Sequence, residues 1–161
     1  YGYQGWGDIA VFIFFGIVGV GGTFYLQVQQ PWDLTWVLPA VSYGSLNVAI
    51  LNINNIRDYN ADMQVGKRTL PVQYGLAWAI RYHWVLLLSS LVSALVFTTL
   101  YYSSWWQWIF VMGVPSLLRR GYVVANTAAP QLHRELALMA LSMALFVVLF
   151  GAGLVMAAWQ V

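Results

Sequence analysis

The chain has 161 residues, 61% of them hydrophobic and only 7% charged, with a mean hydropathy of +0.69. Soluble domains carry about 25% charged residues, so an ordinary soluble domain is excluded and a polytopic membrane protein is indicated. A formal charge of +2 is too small to suggest a nucleic-acid partner, and the absence of cysteine excludes disulfides, zinc–thiolate sites and thiol nucleophiles.

Tyr1 stands where an initiator methionine would, and no basic segment precedes the first apolar run, so no cleaved signal peptide is read. The chain is expected to be an internal or C-terminal piece of a longer membrane domain. Asp8 follows G-W-G at the entrance of the first run. Two roles suit it: helix N-cap, or a polar contact to an acceptor substrate in the cavity. A membrane-crossing helix needs about 20 mainly apolar residues, and five runs come close. The first spans about Ile9 to Leu26 and contains Gly16, Gly19, Gly21 and Gly22, a spacing that favours close helix packing in lipid. Gln29, Gln30, Pro31 and Asp33 form a turn. The second run, about Leu34 to Ile56, is broken by Pro39 and grows polar toward Asn47, Asn52, Asn54 and Asn55. The third is about Leu76 to Leu100, followed by an aromatic turn from Tyr101 to Trp106 of the kind that sits at bilayer interfaces. The fourth, about Trp105 to Leu118, holds Pro115 and extends toward Ala125 past two arginines. The fifth covers about Leu136 to Trp159, with Trp159 as an interfacial anchor. His83 and His133 have no companion at ligand spacing and are expected at interfaces rather than on a metal.

Charge sets the orientation. Arg57, Lys67, Arg68 and Arg81 flank the connection between runs two and three, and Arg119, Arg120 and Arg134 that between runs four and five. The other two connections carry no basic residue. All seven positive charges thus fall on one side, which the positive-inside rule makes cytoplasmic.

Residues 52–75 read N-I-N-N-I-R-D-Y-N-A-D-M-Q-V-G-K-R-T-L-P-V-Q-Y-G and hold two of the five acidic and three of the seven basic residues. Asn54, Asp58 and Asp62 recur every fourth residue, so on a helix they share a face. Two carboxylates and an amide oxygen make a hard, oxygen-only surface suited to Mg²⁺, which completes its shell with water and substrate phosphates. Lys67 and Arg68 could neutralise the rest of a phosphate's charge, once Gly66 turns the chain back toward the acids. A bland alternative stands beside this one: Asp58 and Asp62 could simply be solvated in a loop. Arg57 also has two roles open to it, bidentate support of a carboxylate or diphosphate, or snorkelling at the lipid boundary.

The wording N-N-I-R-D-Y-N-A-D-M-Q-V-G-K-R-T-L resembles the second aspartate-rich motif of the UbiA-type membrane prenyltransferases. The opening Y-G-Y-Q-G-W-G-D-I-A-V-F-I-F-F-G and the R-Y-H at Arg81 to His83 fit the same family. Within it the likeness is nearest to the branch that prenylates 1,4-dihydroxy-2-naphthoate. The resemblance implies an all-α, nine-helix fold of which this chain supplies the last five spans as a single domain, residues 1–161. Two aspartate-rich motifs would face each other at the cytoplasmic end of a central cavity. It also implies that Asp58 and Asp62, with Asn54, bind Mg²⁺ and the diphosphate of a polyprenyl donor, while Arg57, Lys67 and Arg68 steady that diphosphate. Asp8 would contribute to substrate binding. The allylic cation left behind would alkylate an aromatic acceptor, with 4-hydroxybenzoate, homogentisate and a porphyrinoid alcohol as alternatives to the naphthoate. The chain has no second N/D-x-x-x-D pattern, so the partner motif is expected from an N-terminal half of the same enzyme, in a bacterial inner membrane. Two other classes remain open: a transporter subunit whose acids bind a permeating cation, and a non-catalytic assembly subunit.

Overall fold

The structure is a computed structural model, and it describes residues 5–28 and 33–159. Helices account for all the regular structure among those residues, as expected. Helix α1 covers Gly7–Val28, with Phe12–Gly21 wound as a π-helix. Helix α2 is Val37–Arg57, α3 is Tyr59–Gln64 and α4 is Leu70–Tyr74. Helix α5, Leu76–Leu100, matches the third run at both ends. The fourth run starts as a 3₁₀ helix, Trp105–Gly113, and continues as α6, Val114–Asn126. A 3₁₀ turn, Ala129–Gln131, leads to α7, His133–Ala158.

Helices α1, α5 and α7 are long and apolar enough to cross a membrane. Helix α5 has 25 residues, about 37 Å at 1.5 Å per residue, against a hydrocarbon core of about 30 Å. Helix α2 and the 105–126 segment lie where runs two and four were read, but both are more polar. The reason for α2 is its position: it is the hub of the bundle, packed against α1, α5 and α7. Its inner face is small or weakly polar. Ser42 Oγ pairs with Ser90 Oγ at 3.0 Å, and Asn52, fully buried, donates to the Ala79 carbonyl of α5 at 3.0 Å. Leu46, Ala49 and Ile53 are buried in one core cluster with Ala79, Leu87 and Ala94 of α5.

Glycine sets how closely α1 approaches. A Cβ on Gly16 would fall 2.8 Å from the Ala40 carbonyl oxygen and 3.1 Å from Gly44 Cα, so only a bare backbone lets α1 and α2 meet. At the other end of the molecule α7 packs on the 3₁₀ segment in the same manner, with Gly113 against Phe146, and Phe110 edge-on to Phe146 and Phe150 at 5.5 Å each. Ser104 and Gln107 form a capping box that starts that segment, and Gln107 also donates to the Tyr101 carbonyl.

Three expectations need correction. Arg119 and Arg120 do not belong to the connection after run four but to that run's extension toward Ala125; they sit within α6, where Arg120 is buried and bonds Glu135 of α7 at 2.8 Å. His83 is fully buried inside the bundle instead of at an interface, because its position on α5 faces inward. Asp8 does not cap α1. Trp6 occupies the N-cap position and Asp8 is already in the first helical turn, so its side chain is free to point elsewhere. Gln29, Gln30 and Pro31 lie outside the described residues, while Asp33 accepts the Thr35 N–H at 2.8 Å and closes a local turn.

Candidate functional site

The acid motif occupies the end of α2 and all of α3. Helix α2 stops at Arg57 and Asp58 leaves helical geometry (φ −89°, ψ 8°), yet the four-residue bonding survives the break. The Asp58 N–H donates to the Asn54 carbonyl at 3.0 Å, and the Asp62 N–H to the Asp58 carbonyl at 2.8 Å. Asn54, Asp58 and Asp62 therefore keep one-turn spacing, with a bend at the middle residue.

Their side chains are held by two cations. Arg57 forms a fork on Asp58, Nε to Oδ1 at 2.7 Å and Nη2 to Oδ2 at 2.8 Å. The same Nη2 also donates to Asn54 Oδ1 at 2.8 Å. A single positive nitrogen thus bridges the amide and carboxylate oxygens that were expected to share a metal. Arg57 is orienting a carboxylate, one of the two roles open to it. These bonds hold the Asp58 carboxyl below its ordinary range, with Lys67 and His133 adding favourable charge.

Asp62 is buried and is met by Lys67, whose Nζ lies 3.2 Å from Oδ1 and 3.3 Å from Oδ2. The backbone explains how. Gly66 adopts φ +71°, its N–H bonds the Met63 carbonyl, and the Lys67 N–H bonds the Asp62 carbonyl at 2.9 Å. This is a Schellman turn, and it returns Lys67 to the residue five positions earlier. Arg68 is exposed, and its carbonyl accepts the Gln73 amide at 2.6 Å.

The connection between α6 and α7 reaches the same end of the molecule. The Ala129–Gln131 turn contacts α2, and the charge of His133 acts on Asp58. Sequence spacing gave no hint of that approach, since the two residues are far apart in the chain. Next to the cluster is a cavity of about 230 Å³ whose wall includes Asp8, Asn54, Asn55, Lys67 and Thr69. Asn54 and Lys67 join it to the acid motif, while Asp58 and Asp62 lie behind them.

Among the described residues no three His, Cys, Asp or Glu side chains come together as a metal site. The oxygen donors nonetheless suit a hard cation: Asn54 and Asp58 already converge on one positive centre, and Asp62 is one helical turn further on. A metal ion arriving there would take over ground now held by Arg57 and Lys67.

The fold and the cluster together define an all-helical membrane protein with an oxygen-rich, charge-paired site at one end of its bundle. Residues 1–141 match the model of the UbiA prenyltransferase family, and the chain belongs to that family. It is 41% identical to the 1,4-dihydroxy-2-naphthoate octaprenyltransferase of Haemophilus influenzae over 155 residues, 96% of this chain and 50% of that protein. The Escherichia coli protein of the same name is 41% identical over 84% of the chain and 44% of its own length. The Mycobacterium leprae one is 38% identical over 74% and 39% respectively. The chain thus spans about half, or less, of the curated relatives it matches. No solved structure matches it.

Proposed function

We propose that the chain is the C-terminal part of a membrane enzyme that transfers a polyprenyl group from its diphosphate to 1,4-dihydroxy-2-naphthoate, with loss of CO₂, giving demethylmenaquinone. The N-terminal half of the same enzyme would supply the second aspartate-rich motif. The observation that carries this reading is the bridged pair of Asn54 and Asp58, followed by Asp62 on Lys67, in a chain closely similar to proteins of that name. Asn54, Asp58 and Asp62 would hold Mg²⁺. The bound ion would neutralise charge on a departing diphosphate. Arg57 and Lys67, which stand beside those carboxylates, would hydrogen-bond the diphosphate oxygens. Their positive charge then counts most where negative charge develops, which is the requirement for electrostatic catalysis. The exposed apolar flanks of α1 and α5 suit a site that takes its lipid donor from the bilayer. Five spans, with the cluster facing the cytoplasm of a bacterial cell, complete the proposal.

The test uses membranes containing the full-length protein, an octaprenyl diphosphate, Mg²⁺ and three aromatic acids: the dihydroxynaphthoate, 4-hydroxybenzoate and homogentisate. Prenylation of the naphthoate alone, stopped by EDTA and restored by Mg²⁺, is the expected result. Asp58→Ala and Asp62→Ala should each lower transfer at least about 100-fold, the scale seen when an electrostatic catalytic group is removed, while the protein still inserts in the membrane. Near-normal transfer in either variant counts decisively against the metal assignment.

A further inference from the structure

The acid motif has a neighbour from a distant part of the chain. The Ala129–Gln131 turn packs against α2, and Leu132 behind it is fully buried in the main core cluster. The Leu132 carbonyl accepts the Glu135 and Leu136 N–H groups at 3.1 and 3.3 Å, so the same buried residue starts α7. One turn on, Leu136 shares the wall of a cavity of about 290 Å³ with Asn47, Ile50 and Asn54 of α2. The first turn of α7 is thereby fixed beside the Asn54 end of α2 at two points.

His133 is the residue this arrangement presents. It opens α7 three positions before Leu136, and residues at that spacing are neighbours on one face of a helix. It is exposed, and Asp58, held first by Arg57, also feels its charge. Three basic side chains thus stand around the acid motif, and two are already spent. Arg57 is forked on Asp58 and bonds Asn54, while Lys67 is bonded to Asp62. Among the described residues His133 makes no hydrogen bond and no ion pair. An incoming anion must compete with carboxylates for Arg57 and Lys67, but it meets an unspent donor in His133. Arg134, next in the chain and also exposed, lies about 100° further round the helix.

We propose that His133 is a further diphosphate-binding residue, whose imidazole donates a hydrogen bond to an oxygen of the prenyl donor's diphosphate. The inference rests on the prenyltransferase reading above, and it adds to that site a residue from the connection between the last two helices, outside the acid motif. Mg²⁺ takes only part of a diphosphate's oxygens, because it keeps several waters and one or two carboxylates in its shell. The other oxygens need donors, and a hydrogen bond to a charged oxygen is roughly twice as strong as a neutral one. No proton is transferred. The imidazole holds the diphosphate before and after its bond to the allylic carbon breaks, so the contact strengthens donor binding without altering kcat.

The experiment measures steady-state kinetics of the full-length protein with octaprenyl diphosphate varied at saturating Mg²⁺ and dihydroxynaphthoate, together with competitive inhibition by inorganic diphosphate. His133→Ala should raise the donor KM and the inhibition constant of inorganic diphosphate by the same factor, about 10- to 100-fold, the worth of a hydrogen bond to a charged group. It should leave kcat and the naphthoate KM close to wild type, the pattern of a lost binding contact. His133→Lys restores a charged donor and should recover most of the donor affinity. Arg134→Ala should change neither constant. His133→Gln, which keeps a neutral donor, should give an intermediate loss and carries the test if the alanine variant does not accumulate. An unchanged donor KM in the alanine and glutamine variants overturns the inference. So does an equal loss in Arg134→Ala, which would mean a general surface field, or a lysine variant no better than the alanine one. A loss confined to kcat or to the naphthoate KM overturns it as well. A wild-type protein that prenylates none of the aromatic acids removes the underlying reading instead, a result distinguishable from all of these.

Discussion

Arg57 shows how one side chain can decide the behaviour of a cluster. Its guanidinium bridges Asn54 and Asp58, and it depresses the Asp58 pKa below the ordinary 3.8. The sign follows from linkage: a carboxyl with a depressed folded pKa adds stability that is full above its unfolded value and is lost as pH falls through the folded one. Titration of Asp58 therefore leaves stability flat from about pH 5 to pH 8 and matters only in acid. Arg57→Ala removes that contribution. In thermal unfolding of the purified full-length protein, the gap between wild type and Arg57→Ala should be present at pH 6 and should narrow at pH 3; an equal gap at both pH values would contradict the pairing. Four-residue spacing made Asn54, Asp58 and Asp62 legible as a set. What it could not reveal was that Arg57, on the intervening turn, already fills the space between two of them.

At the scale of elements, the buried pair between Arg120 of α6 and Glu135 of α7 ties the last two helices together. Both side chains are about nine-tenths buried, and the bond measures 2.8 Å. Removing one partner of such a pair leaves an uncompensated charge and costs about 3–5 kcal/mol, whereas replacing both with apolar residues of similar size is often neutral. Arg120→Ala should accordingly lower stability severely, and Arg120→Met combined with Glu135→Leu should recover most of the loss. Thermal unfolding of the wild type, Arg120→Met, Glu135→Leu and the double variant in one detergent measures the coupling; additive losses would mean that the two charges act independently. Hydropathy located all five helical runs but left Arg119 and Arg120 between the end of the fourth run and the connection after it, because a charged pair reads as a boundary when its buried partner lies fifteen residues on. Asp8 misled in a similar way. An acid at the start of an apolar run looks like a cap, and only the structure shows Asp8 buried in the first helical turn, on the wall of a cavity.

Across the whole molecule, the acid cluster and the 129–133 connection occupy one end, as the charge pattern required. The chain contains no cysteine, so single cysteines report topology without background. Met63→Cys and Gln131→Cys, both at exposed positions, should react with a membrane-impermeant maleimide in inverted vesicles, and Tyr102→Cys, also exposed, in right-side-out cells. Labelling of positions 63 and 102 from the same side would invalidate both the orientation and the proposed cytoplasmic site.

Composition and hydropathy alone determined that the chain is helical and membrane-embedded, because bilayer burial leaves few options for satisfying backbone hydrogen bonds. The run of residues from Asn54 to Leu70 determined the family, because its charged and amide groups stand at fixed spacing in an otherwise apolar chain. Tertiary structure decided the rest: which cation meets which acid, that the charge of His133 acts on Asp58, and that Asp8 and Thr69 line one cavity. Those facts depend on contacts between distant segments, and pairwise distance across a fold leaves no period in the sequence to be read.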